Sequence, residues 1–162
     1  MSERIAEVYS LLVPLAEARV IVPRACVAEV IGYQPPTQLE GVPHWYLGVV
    51  NWNARTVPLV SFEGTCGLPV PPPSSRSRIV VFHALLGRLE AGYVAIVSQG
   101  FPQLVRVGND VVRPDNSRSF PERVPVLCQV RMLNETPWIP DLERLETMVA
   151  EETVATVEKQ AL

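Results

Sequence analysis

Sixteen prolines are scattered through 162 residues, and this spacing limits the fold more than any other feature. A proline inside a helix removes a backbone donor and clashes with the preceding turn, at a cost of roughly 3 kcal/mol. Long helices are thereby excluded from most of the chain. Between the prolines lie short apolar stretches rich in Val, Ile and Leu, bounded by Gly, Pro, Asn or Ser, which is the pattern of many short strands. Strands are expected at residues 8–15, 19–22, 27–31, 47–50, 56–62, 78–85, 90–97, 103–107 and 124–133.

Two hairpins follow. LGVV and TVPLVSF are joined through residues 51–55, and RIVVFHAL and EAGYVAIV across residues 86–89, where Gly87 supplies a positive φ. The proline-rich LPVPPPSSRS, residues 68–77, favours an extended conformation and is expected to connect two lobes along the surface. After Pro140, Asp141 is placed to cap a helix whose apolar positions Leu142, Leu145, Met148 and Val149 recur at helical spacing. The resulting division is a tail at 1–6, one domain of two β lobes at 7–150, and a C-terminal tail at 151–162 that either prolongs the helix or frays.

Charge and cysteine content narrow the function. Fourteen basic against 17 acidic residues give a net charge of −3, which provides no field to hold a nucleic-acid backbone. Cys26, Cys66 and Cys128 are odd in number and widely spaced, so no secreted disulfide framework is indicated. The segment MSERIAEVYS has no apolar core of signal-peptide length, and no apolar run approaches the roughly 18 residues needed to span a bilayer. A cytoplasmic protein with no direct membrane insertion is expected.

Catalytic chemistry is hard to find. Only His44 and His83 could serve as bases near neutral pH; one sits in a turn and the other inside an apolar strand. Nucleophile-elbow, zinc-protease and phosphate-loop motifs are missing, and EGTCG at 63–67 reads as a turn. Cys66 has no identifiable base to activate it. The expectation is a non-enzyme without catalytic residues, metal or cofactor.

One segment carries more than composition. PHWYLGVVNWNARTVPLVSFEGTCGL, residues 43–68, resembles the central signature of the CheW-like family of chemosensory proteins at Pro43, Tyr46, Gly48, Asn51, Pro58, Leu59, Phe62 and the Gly67–Leu68 pair. VAEVIGY at 27–33, IVVF at 79–82 and GYVAIV at 92–97 are similar to flanking strands of that family, and a helix closes both. The resemblance implies two five-stranded SH3-like β-barrels with a hydrophobic groove between them. It also implies an adaptor that couples the cytoplasmic tip of a methyl-accepting chemoreceptor to the regulatory domain of a CheA-type histidine kinase, with a type IV pilus system controlling twitching as the expected setting. The chain departs from the family where Asn53 and Ala54 replace arginine and glycine, Ser61 replaces aspartate, and Ala95 replaces a second aspartate.

Val27, Glu29, Ile31, Asn51, Asn53 and Val97 are the candidate receptor- or kinase-binding residues. Two-residue alternation would put Val27, Glu29 and Ile31 on one open face of their strand, with Val30 turned to the core. Other readings remain: a binding module that meets another signalling or pilus component, and a β-barrel that holds a small molecule.

Overall fold

The computed structural model describes residues 7–108 and 110–160, with backbone alone over 154–160; the expected tail at 1–6 lies outside the described residues. Among the described residues eleven strands and two helices follow one another: β1 (Val8–Pro14), β2 (Arg19–Pro23), β3 (Val27–Gly32), β4 (Tyr46–Trp52), β5 (Arg55–Val60), α1 (Phe62–Thr65), β6 (Arg78–His83), β7 (Tyr93–Ser98), β8 (Gln103–Val107), β9 (Val112–Asp115), β10 (Val126–Met132), β11 (Trp138–Pro140) and α2 (Leu142–Gln160). All nine expected strands are present, and α2 runs unbroken across residue 151.

The proline-rich run 68–77, expected to connect the lobes, instead joins β5 and α1 to β6 within the five-stranded sheet's own lobe. Three further differences have local causes. Residues 61 and 62, expected to end a strand, instead start α1, because the Ser61 hydroxyl accepts from the Gly64 amide at 3.1 Å and caps the turn. The EGTCG segment therefore contributes a helical turn. Strands β9 and β11 went unread because each is short and contains a proline, which demotes a run to a sheet edge or strand end.

The strands form two sheets, one ordered β8-β1-β2-β11-β10-β9 and the other β3-β6-β7-β5-β4. The second has five strands. The first has six, because the short β11 slots between β2 and β10, parallel to β2 with Trp138 opposite Val20. Each sheet rolls up on itself: Val105 and Val107 of β8 share an apolar cluster with Val112 of β9, although these strands are opposite edges of one sheet. In the same way Ala28 and Ile31 of β3 meet Leu47 and Val50 of β4 inside the second lobe.

A third and larger core joins the two lobes. Val13, Val20 and Val22 from the first sheet pack there with Val80, Phe82, Val94 and Ile96 from the second, and α2 adds Leu145 and Val149. Alternate residues of β6 consequently enter different interiors: Val80 and Phe82 the shared core, Ile79 and Val81 the second lobe. All four are essentially without solvent exposure.

Among the turns, the β4–β5 hairpin reverses through Asn53 and Ala54, both left-handed at φ 50° and 59°. Within β4, Gly48 takes φ 140° where an added Cβ would lie 2.2 Å from the Thr37 carbonyl oxygen. Only glycine allows that close crossing.

Two buried polar arrangements tie the lobes' loops down. In the first, Asp115 accepts from the Ser117 amide and the Gln129 side-chain amide, each at 3.0 Å, and Gln129 accepts from the Trp138 indole at 3.1 Å. Hydrogen bonds from Ser117, hydroxyl first and amide second, and then from Gln129 hold the Asp115 carboxyl down to about 2. A carboxyl with a depressed folded value contributes stability that is complete above its unfolded value of about 4 and is lost as pH falls through the folded one. Unfolding free energy should therefore decline between about pH 4 and pH 2, and in Asp115→Asn that part of the decline should flatten, as denaturant titrations across the range would show.

The second arrangement fastens α2. Glu146, 1% exposed, accepts from the Leu86 and Arg88 amides at 2.9 Å each, gripping the β6–β7 loop. Hydrogen bonds to a charged group contribute about 1.5–3 kcal/mol each, and losing the carboxylate strands two amides. Glu146→Ala is expected to lower stability by about 3 kcal/mol, with Glu146→Gln recovering part of it; chemical denaturation and amide exchange at residues 86 and 88 would check both.

Candidate functional site

Where the chain leaves the first sheet for the second, Pro23 ends β2, a single tight turn covers Arg24–Cys26, and β3 begins at once. β3 is a terminal strand of its sheet, so one side of its backbone has no strand partner. The crossing leaves an open groove of about 740 Å³ between β1 and β3. Val8, Tyr9 and Leu11 line one wall, and Val27, Ala28 and Val30 the other. Val8 and Tyr9 are 47% and 51% exposed, a large apolar area to leave uncovered.

The expected face assignment along β3 fails at its first step. A bulge between Val27 and Glu29 shifts the register, so that Val27 stands opposite Phe82 and Val30 opposite Val80, while Glu29 and Ile31 stand opposite Val81 and Ile79. Val27 and Val30 accordingly pack against the shared core and border the groove together, whereas Ile31 packs into the second lobe. The two-residue period was broken by one extra residue.

Glu29 is exposed at the groove wall, and its Oε2 accepts from the Trp52 indole at 2.5 Å. Trp52 stands edge-on to Tyr93 at 4.8 Å, and the Arg55 guanidinium lies 5.6 Å from the Tyr93 ring while donating to the Ala91 carbonyl at 3.1 Å. This ladder connects the groove to the β4–β5 hairpin, which carries Asn51 and Asn53. Asn51 is exposed, and its carbonyl accepts from the Gln34 side chain at 3.2 Å. Val97 is elsewhere: it is 7% exposed within the second lobe and lines a different depression. Of the six expected residues, Val27 and Glu29 meet in the groove, Asn51 and Asn53 lie on the connected hairpin, and Ile31 and Val97 belong to the second lobe's interior. Reading the sequence missed Val8, Tyr9 and Leu11, whose apolar run gives no sign that its first residues stay uncovered.

The remaining reactive groups are placed as follows. Burial pushes the Cys66 thiol up to about 11, so it keeps its proton near neutral pH. His44 and His83 are both exposed, and His83 leans on Tyr93 with ring centroids 5.4 Å apart. Among the described residues no group of three His, Cys, Asp or Glu side chains could hold a metal ion, and no helix is long and apolar enough to cross a membrane.

Two lobes with a groove at their crossing invite comparison at the level of families, and the family description "CheW-like domain" matches residues 10–145. The chain belongs to the CheW-like domain family. Within it, the chain is 25% identical over 100 residues to the chemotaxis protein CheW of Rhizobium meliloti (strain 1021). That match takes in 58% of this chain and 61% of the relative, so the chain spans about three-fifths of the length of the curated protein it matches. The crystal structure of the scaffolding protein TtCheW from Thermoanaerobacter tengcongensis is similar at a TM-score of 0.70 and 14% identity, covering 86% of this chain and 88% of that one. At that identity the likeness is one of fold.

The hairpin at Asn53 and Ala54 is where this CheW-like chain leaves the family signature most visibly. A two-residue turn with both positions left-handed suits glycine or asparagine, and an alanine there is strained by its Cβ. Ala54→Gly should raise stability by about 1 kcal/mol with no change in fold, read as an upward shift of the denaturation midpoint.

Proposed function

We propose that this protein is a non-catalytic adaptor of chemotaxis-type signalling, coupling the cytoplasmic tip of a methyl-accepting chemoreceptor to the regulatory domain of a CheA-type histidine kinase. The observation that carries the reading is the open groove between β1 and β3, with apolar walls and a charged margin, in a chain whose family membership spans residues 10–145. An amphipathic helix binds by laying its apolar side chains in such a groove. Val8, Tyr9, Leu11 and Val27 offer the apolar wall, and Glu29 and Arg24 at its margin offer charges of opposite sign to set the partner's direction. The exposed β4–β5 hairpin, joined to Glu29 through Trp52, extends the contact surface.

The departure at Asn53 bears on partner choice. Asparagine cannot make the forked, charge-assisted contacts of the family's arginine, and the nearby Arg55 is engaged with Ala91 and Tyr93. This supports a partner different from that of standard members, and a type IV pilus chemosensory system controlling twitching is the setting we assign.

Binding of a purified receptor cytoplasmic fragment and of the kinase regulatory domain, measured by calorimetry, tests the coupling role. Tyr9→Ala combined with Val8→Asp removes the uncovered apolar wall from residues already half exposed. The double variant should weaken receptor binding at least about tenfold while melting within about 2 °C of the parent. Unchanged affinity for both fragments, or failure of the parent to bind either one, would overturn the assignment.

A further inference from the structure

A second depression, of about 460 Å³, shares no lining residue with the β1–β3 groove. The extended run Pro71–Pro73 forms one side of it, with Tyr33, Leu47, Val70 and Val97 as apolar walls. Glu63 of α1 lines it too, and Glu63 is 2% exposed. One carboxylate oxygen, Oε2, accepts from the Ala16 amide at 3.1 Å. The other, Oε1, is buried without any hydrogen-bond partner. Among the described residues no ion pair reaches it.

A buried carboxylate with one oxygen unserved is costly, and most such groups in native proteins have a partner from protein, water or ligand. Burial pushes the Glu63 carboxyl above the usual range, and the amides of Glu63 itself and of Ala16 offset that rise only in part. The surroundings define what could compensate it. The head group must donate hydrogen bonds and gains most if it is a cation. The body must be apolar to match prolines, Leu47 and Val97. The volume lies within the range of small-ligand sites. Prolines make such a wall with little conformational freedom to lose when something binds.

We propose that the depression beneath the proline run is a binding site for a small organic ammonium compound with a compact apolar or aromatic body, its ammonium group held by Glu63. Tyr33 contributes an aromatic wall of the kind that favours cations. This site is independent of the β1–β3 groove and of the adaptor role assigned to it.

The test uses the full chain and a probe set that shares one phenylethyl body: 2-phenylethylammonium, its neutral counterpart 2-phenylethanol, and the anion 3-phenylpropanoate. Binding is read by NMR titration of backbone amides and by calorimetry. The ammonium probe should bind saturably and shift amides at Tyr33, Leu47, Glu63 and Val97. The alcohol and the acid should bind at least about tenfold more weakly. Glu63→Gln should weaken ammonium binding at least about tenfold while melting at or above the parent temperature, since it removes a buried charge. Tyr33→Ala, at a partly exposed wall, should weaken it severalfold and gives a second reading should Glu63→Gln fail to fold. Equal binding of the three probes, undiminished ammonium binding in either folded variant, shifts confined to other surfaces, or no binding of the ammonium probe would each overturn the proposal.

Discussion

The structure depends on burying the five-stranded sheet on both of its faces. Val80, Phe82, Val94 and Ile96 fill the core shared with the first sheet and α2, while Ile79, Val81, Ala95 and Val97 fill the second lobe. The central strands of a sheet so placed have no solvated side and become continuous apolar runs. The arrangement holds the lobes as one body and gives α2 an apolar seat. It also fixes the groove, because β3 is hydrogen-bonded to β6, whose residues 79–82 are fully enclosed.

The same constraint explains what could be read from the amino acids. Proline spacing and β-branched clusters located nine strands, and Asp141 marked the start of α2: its carboxylate accepts from the Arg144 amide at 3.0 Å. Faces were another matter. Alternation reports a face only when one side is wet, and β3, β6 and β7 have apolar partners on both, so Val27 and Ile31 could not be separated before the bulge was seen. The reversal between β4 and β5 was legible, yet its turn type was not, because neither Asn53 nor Ala54 is the glycine that usually announces it. Within the candidate site, β3 gave half the wall through its family resemblance. The other half, at Val8 and Tyr9, becomes visible only once β1 is placed beside it.

Buried carboxylates were the least legible feature. Glu146 sits among helix positions where a charge looks solvated, and Glu63 lies in a segment that reads as a turn; both are almost fully enclosed. Their situations differ in one respect. Glu146 has a backbone donor on each oxygen and so acts as a fastener, whereas Glu63 has a donor on one oxygen only. Equal burial thus leads to opposite consequences, set by the number of amides that face each group.

The order of strands has a consequence for how the chain comes together during synthesis. The five-stranded sheet is built from one uninterrupted stretch, residues 27–98, while the six-stranded sheet draws β1 and β2 from before it and β8 to β11 from after it. As the chain emerges from a ribosome, the second lobe can pair its strands while β2 still waits for β11, more than a hundred residues downstream. Long-range pairings of this kind are slow and leave strand edges open in the interval. The nascent protein therefore spends its most vulnerable period with its first two strands already made and their neighbours not yet translated.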